Sequence, residues 1–165
     1  MIYSEILKGK VKVPTSQKFF TNKLCIQDIE WISVYHRVYS LTNYNRLREF
    51  QYKILNNCLF LNHKLYKAKL VESPLCTFCK QSTESIEHFF VECKNSKYLY
   101  KEVNHWLKEA HIKLPSLNLN NVILGTSGDL MDELLFLLYK FVLFNTRGKK
   151  STSRNKLLQK YTKGI

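Results

Sequence analysis

Four potential metal ligands lie within eighteen residues near the middle of the chain, with the spacing C-x2-C-x8-H-x4-C. They are Cys76, Cys79, His88 and Cys93. A Cys-x-x-Cys turn can direct two thiolates at one point, and a histidine and a cysteine a few residues later can complete a tetrahedron. The spacing therefore predicts a bound Zn²⁺. Because four protein ligands leave no open coordination position, we expect a structural site rather than a catalytic one.

The cysteines allow two other interpretations. They could be free, buried cysteines beside a surface histidine, although three of the five cysteines of the chain fall within this window. A disulfide framework is less compatible, because three cysteines cannot all pair among themselves. No signal peptide is visible at the N terminus, because the first nine residues include Glu5 and no long apolar run. Nothing therefore marks the chain as secreted, where disulfides are common. We therefore expect an intracellular protein of the nucleus or the cytoplasm.

Composition limits the function classes. A chain of 165 residues with 45% hydrophobic residues can bury a core and is not of the disordered class. The most apolar segment, residues 130–144, is too short and too charged to span a bilayer, so we expect no membrane partner. A formal net charge of +13 favours a polyanionic partner such as RNA or DNA, although a basic charge also suits a merely soluble protein.

Apolar residues recur with a helical period through most of the chain. We therefore expect a mainly α fold of six or seven helices, a small helical domain with an embedded CCHC zinc knuckle. Residues 1–42 are predicted to be a basic approach segment with a helix. Residues 43–110 are predicted to be a helical zinc-binding domain with its finger at 74–95. Residues 111–165 would hold a connector, an apolar helix and a basic C-terminal arm.

Local signals predict the faces and ends of these helices. The residues expected to share buried faces are Ile32, Tyr35 and Tyr39 in one helix, and Leu47, Phe50, Ile54, Leu55 and Cys58 in the next. The residues expected to cap helices are Thr42 or Asn43, Asn62, Thr83, Asn95 and Asp129. A short extended segment is expected at residues 121–125.

Two groups of basic residues are candidates for phosphate contact. Arg46, Arg48 and Lys53 lie mainly off the apolar stripe of their helix. The last nineteen residues contain seven cations and no acid, so they suit either a phosphate-contacting arm or a solvated tail. The candidate residues of this arm are Arg147, Lys149, Lys150, Arg154, Lys156 and Lys160.

The finger differs from the arm in its charge. Its lysines are accompanied by acids, so its net charge is expected to be close to zero and its role mainly architectural. The residues concerned are Glu84, Glu87 and Glu92 beside Lys80, Lys94 and Lys97.

Several runs together resemble a known family. They are LREFQYKILNN at 47–57, NHKL at 62–65, SPLCTFC at 73–79 and ESIEH at 84–88, followed by Cys93. From about residue 44 to Trp106 the chain resembles the CCHC zinc-binding region that follows the reverse transcriptase domain of LINE-type non-LTR retrotransposon proteins. The resemblance implies that the four Cys and His residues bind zinc. It also implies a role in holding template RNA or target DNA, with a reverse transcriptase domain as a further partner.

The chain contains no Asp-Asp polymerase signature and no endonuclease carboxylate cluster, so the resemblance carries over neither activity. We expect no enzyme. Two functions remain: a zinc-stabilised nucleic-acid-binding module, or a structural module that docks on a polymerase domain without binding nucleic acid itself.

Overall fold

The computed structural model describes residues 13–126 and 128–147. Within them, seven α-helices follow one another: α1 (Thr15–Leu24), α2 (Trp31–Leu41), α3 (Asn45–Leu55), α4 (Asn62–Lys67), α5 (Lys94–Glu109), α6 (Leu119–Leu124) and α7 (Leu130–Asn145). A π-helical turn, His88–Glu92, precedes α5. The expected mainly α fold is confirmed, and the described residues hold no strand beyond one isolated antiparallel bridge between Leu75 and Thr83.

The core is organised around α3, which packs against α2, α6 and α7. Phe50 of α3 lies at its centre, with ring centroids 5.4 Å from Phe141 and 5.6 Å from Phe144 of α7. The same ring is 6.4 Å from Phe90 in the π-helical turn. One aromatic cluster therefore joins the first half of the chain, the finger and the last described helix.

A polar cluster lies inside this core. The ammonium group of Lys140, on α7, is buried and donates to Gln51 Oε1 at 2.7 Å and to the carbonyl of Val122 at 3.0 Å. Gln51 in turn donates to the carbonyl of Ile123 at 2.9 Å. These bonds connect α3, α6 and α7, and they satisfy carbonyls near the end of the short helix α6.

Some sequence predictions are confirmed in detail. Leu47, Phe50, Ile54 and Leu55 are buried on one face of α3. The carboxylate of Asp129 caps α7 by accepting a hydrogen bond from the Met131 amide at 3.2 Å, and the helix ends at Asn145 as expected.

Two predicted faces are wrong at particular positions. Ile32 is 70% exposed and Tyr39 is 58% exposed, because α2 turns Val38 into the core instead. Cys58 is exposed since α3 ends at Leu55, and Leu59 is buried in its place.

The predicted caps of three helices are also wrong. The cap positions of α3, α4 and α5 are Tyr44, Leu61 and Cys93, and none makes a side-chain capping bond. Asn62 and Asn95 instead tie their helices to the finger, through the carbonyls of Leu75 and Phe78 respectively. The segment predicted to be extended at 121–125 is mostly part of α6, which Asn118 caps.

None of the helices in the described ranges is both long and apolar enough to cross a membrane.

Candidate metal centre

The first two ligand candidates lie in a tight turn closed by backbone hydrogen bonds. The Cys76 amide donates to the carbonyl of Ser82 at 2.8 Å, beside the bridge between Leu75 and Thr83. The Lys80 amide donates back to the Cys76 carbonyl at 2.9 Å, and Lys80 has a left-handed φ of 58°. This turn places the two sulfurs on the same side of the finger.

The other two candidates depend on the π-helical turn. His88 and Cys93 are five residues apart, which in a regular α-helix would separate their side chains by about 140° around the axis. The wider turn, closed by a bond of 2.7 Å from the Cys93 amide to the His88 carbonyl, brings them to one side. The side chain of Ser85, not the predicted Thr83, caps this segment by accepting from the His88 amide at 3.0 Å.

The four ligand atoms all lie within 4.8 Å of one another. Cys76 Sγ is 3.9 Å from Cys93 Sγ, and Cys79 Sγ is 3.3 Å from His88 Nε2. Zinc bonds of about 2.3 Å to sulfur and 2.0 to 2.1 Å to nitrogen make the edges of a tetrahedron roughly 3.5 to 3.8 Å long. The group therefore fits a tetrahedral zinc ion with little movement.

Burial distinguishes the four side chains. Cys76, His88 and Cys93 are buried, and only Cys79 is partly exposed. Burial raises the pKa of the Cys76 thiol. Burial also acts to raise the pKa of Cys79, but hydrogen bonds from the amides of Gln81 and Ser82 outweigh it and lower that pKa below its ordinary value. Both thiols must lose their protons to bind a metal, so amides directed at sulfur favour the binding form.

An acid lies near the histidine nitrogen that faces away from the cysteines. Glu92 Oε2 lies 3.7 Å from His88 Nδ1, one helical turn away, while Nε2 faces Cys79. A carboxylate near Nδ1 favours the tautomer that leaves Nε2 as the metal ligand.

These features define a class of protein: a small helical domain with a Cys3His group positioned to hold a structural metal ion. The chain belongs to the family described as zinc-binding in reverse transcriptase, whose model matches residues 15–100, just over half of the chain. No significant match was found among curated proteins or among solved structures.

One residue important to the site is Glu84, for which the sequence predicted a different environment. It was expected to be one of the acids that balance the finger lysines, but its carboxylate is fully buried. Oε2 accepts from the Thr77 amide at 2.6 Å, and Oε1 accepts from the Asn62 amide at 3.0 Å. Oε1 also lies 3.0 Å from Arg147 Nη1. Nothing in the hydrophobic pattern separates Glu84 from the other acids of the finger, so only the fold reveals this role.

The ion pair corrects the expected charge of both the finger and the arm. Arg147 was expected to have no acid to neutralise it, yet it pairs with Glu84. Glu87 of the finger also pairs, with Lys23 of α1. Two of the three finger acids are therefore paired with cations from outside the finger, and they do not offset its own lysines. The finger surface is for this reason more positive than the sequence predicted.

The predicted phosphate-binding residues of α3 have different environments. Arg46 is exposed. Arg48 is half-buried and donates to the carbonyls of Thr42 and Tyr39, and Lys53 pairs with Glu49 at 2.6 Å. The arm residues Lys149, Lys150, Arg154, Lys156 and Lys160 lie outside the described residues.

Proposed function

We propose that Cys76, Cys79, His88 and Cys93 hold one structural zinc ion, and that the chain is a zinc-stabilised nucleic-acid-binding module. By the resemblance of its sequence, it would act beside the reverse transcriptase of a LINE-type non-LTR retrotransposon protein and hold template RNA or target DNA. It would do so in the nucleus or the cytoplasm, without a membrane partner.

The zinc assignment is supported by the match between the donor set and the metal. Three thiolates and one imidazole suit zinc, and the spacing of the donors suits its bond lengths. Phe89 follows His88 and packs at a ring distance of 5.1 Å on Phe78, which lies between Cys76 and Cys79. A metal at this position would cross-link the turn and the π-helical segment that these two rings already join.

The nucleic-acid assignment rests mainly on how charge is distributed along the chain. The described residues carry 17 Lys and Arg against 12 acids, whereas residues 1–12 and 148–165 together carry nine cations and a single acid. Most of the net charge therefore belongs to the two ends, where so little acid is available to neutralise it. Counterion release on binding scales with the number of cations that reach phosphates.

The position of Arg147 supports a role for the C-terminal arm. Arg147 is fixed against the finger by Glu84, and its guanidinium lies 4.7 Å from the centre of the Phe144 ring. The chain continues from there into Lys149, Lys150 and the later cations. Zinc and the finger would thus fix the position from which the cations of the arm reach phosphates.

The experiment is a binding titration of the full chain against one labelled RNA and one duplex DNA over a series of salt concentrations. We expect affinity to fall steeply with salt and to differ little between sequences, as phosphate contacts dictate. If the chain binds neither the RNA nor the duplex DNA at low salt, the proposal is refuted.

A second function is favoured by exposed apolar side chains near α4. Phe60 and Leu70 are 60% and 70% exposed, and Leu70 lines an open hollow with Tyr66. Such a surface suits a protein partner, for which the adjoining reverse transcriptase domain is the candidate. Loss of binding to a separately expressed reverse transcriptase domain in Phe60→Ser and Leu70→Ser variants, with nucleic-acid affinity absent in the wild type, would favour this alternative.

A further inference from the structure

An open groove of about 310 Å³ lies between the end of α2 and the outer face of α3. It is lined by Tyr39, Asn45, Arg48, Glu49 and Tyr52. The tyrosines are 58% and 51% exposed, so two large aromatic rings line one groove and are accessible to solvent.

The ring of Tyr52 is supported from within the fold. Its centroid is 6.1 Å from that of Tyr35, which is 6.4 Å from that of Trp31. The hydroxyl of Tyr35 donates to Asn56 Oδ1 at 3.2 Å. This row of rings holds Tyr52 in place, so that little side-chain entropy would be lost when a ligand contacts it.

The ring of Tyr39 is supported by Arg48. The guanidinium carbon lies 5.0 Å from the ring centre. Arg48 Nε donates to the Thr42 carbonyl at 2.6 Å, and Nη2 donates to the Tyr39 carbonyl at 2.8 Å and to Asn43 Oδ1 at 2.9 Å. Within the part of the chain that the structure describes, Nη1 makes no hydrogen bond, which leaves donors for a ligand oxygen.

The groove and its surroundings carry a net positive charge. Arg48 lines it, and Arg46 and Lys53 belong to the same helix. The acid of the groove, Glu49, is paired with Lys53, and hydrogen bonding and charge from that lysine lower the pKa of its carboxyl. A polyanion is therefore favoured over a neutral ligand as the occupant.

We propose that Tyr39 and Tyr52 are a stacking site for the bases of single-stranded nucleic acid, with Arg48 Nη1 donating to a backbone phosphate. Exposed aromatic rings beside fixed cations are the combination that binds single strands without reading sequence, because every base has a π face. In a duplex those faces are covered by neighbouring base pairs, so the site would select unpaired strands. The inference rests on the proposed nucleic-acid function and adds the strand state that the module prefers.

The test compares variants of the full chain on a labelled twelve-nucleotide oligouridine, an RNA duplex of the same length and a twelve-residue polyproline peptide. The variants are the double replacement Tyr39→Leu with Tyr52→Leu, the double Tyr→Phe replacement at the same positions, and Tyr98→Leu. Tyr98 is 66% exposed on α5 and serves as a matched surface tyrosine outside the groove. Zinc content and helical circular dichroism establish that each variant is folded.

We expect the double leucine variant to lose at least about tenfold in affinity for oligouridine, since each stacked base contributes measurably. Duplex affinity should change less than about twofold, because phosphate contacts are retained. The phenylalanine variant, which keeps both rings, and Tyr98→Leu should match the wild type on both RNAs.

Different failures have different meanings. If the wild type binds neither RNA, the stacking site is refuted. If it also fails to bind the duplex DNA of the titration above, the proposed function is refuted as well. If the wild type binds oligouridine and the double leucine variant binds it equally well, only the stacking site is refuted. Equal loss on single strand and duplex would also refute it, as would polyproline binding that depends on the two tyrosines while oligouridine binding does not.

Discussion

Arg147, the last described residue of the chain, forms a buried ion pair with Glu84 of the finger, 63 residues earlier, with Nη1 at 3.0 Å from Oε1. The carboxylate is fully buried, and the guanidinium side chain is 15% exposed. The family match ends at residue 100, so this contact joins the matched region to the turn that follows α7, outside it. The end of α7 is therefore part of the structure that supports the metal centre.

The first prediction concerns this ion pair. Arg147→Met should destabilise the fold by about 3 kcal/mol, because it leaves the Glu84 charge buried with only two amide donors. The measurement is the free energy of unfolding in urea with zinc in excess.

The matched control is the double variant Glu84→Gln with Arg147→Met, in which no charge is buried. It should recover part of the lost stability. Equal stabilities of Arg147→Met and the wild type would show that the pair does not hold the helix to the finger.

The second prediction concerns metal content. Elemental analysis should find one zinc per chain, and Cys79→Ser should weaken its retention, since three protein ligands hold the ion less tightly than four. Because Phe90 of the finger packs on Phe50 of α3, loss of zinc should loosen the finger first and destabilise the core in part.

Cys25 and Cys58 provide the controls, as both are exposed and lie outside the group. Replacing either with serine should leave the zinc content at one per chain. A loss of zinc in the Cys58→Ser variant would contradict the assignment of the four ligands.

The third prediction concerns pH. Burial lowers the pKa of Lys140 to about 7 in the folded chain, against about 10.4 when unfolded. Between these values the unfolded state binds more protons, so this group makes stability rise as pH increases. Stability relative to Lys140→Met should therefore increase from pH 7 to pH 9 by up to about 1.4 kcal/mol per pH unit.

Lys108→Met removes an exposed lysine of α5 and serves as the control, whose pH curve should run parallel to that of the wild type. Both should be measured with zinc in excess, so that thiol ionisation does not add to the result. Parallel curves for the wild type and Lys140→Met would contradict the prediction.

The sequence predicted the parts of the structure that depend on local spacing. The Cys-x-x-Cys turn, the apolar stripe of α3 and the Asp129 cap are all encoded within a few residues. The clustering of the four Cys and His residues was predicted as well, since those residue types rarely occur at that spacing for another reason.

The features that sequence reasoning missed depend on contacts between distant segments. Whether Glu84 lies on the surface or in the core depends on Arg147 and Asn62, which no local pattern connects to it. Which face of α2 is buried depends on how the helix packs against its neighbours. Its β-branched and aromatic residues lie on several sides, so the period of its apolar residues is ambiguous. The π-helical turn brings two ligand candidates five residues apart to one side, and helix periodicity does not predict it.

We propose that the cations after Arg147 supply most of the phosphate contacts, while the finger supplies the architecture. Lys80→Glu with Lys94→Glu tests the finger surface directly, and both lysines are exposed. A chain ending at Arg147 tests the arm. The cut belongs there rather than after Asn145, since an earlier cut would remove the partner of Glu84 and confuse a loss of folding with a loss of contacts.

The deciding measurement is the slope of log affinity against log salt for the full chain, the chain ending at Arg147 and the finger variant, on one RNA and one duplex DNA. The truncated chain should keep its zinc and show a slope shallower by about 2 to 4, as the loss of several phosphate contacts requires. The finger variant should keep most of the parent slope. If the truncated chain instead retains the full slope and the finger variant does not bind, the finger is the contact surface and the arm is a solvated tail.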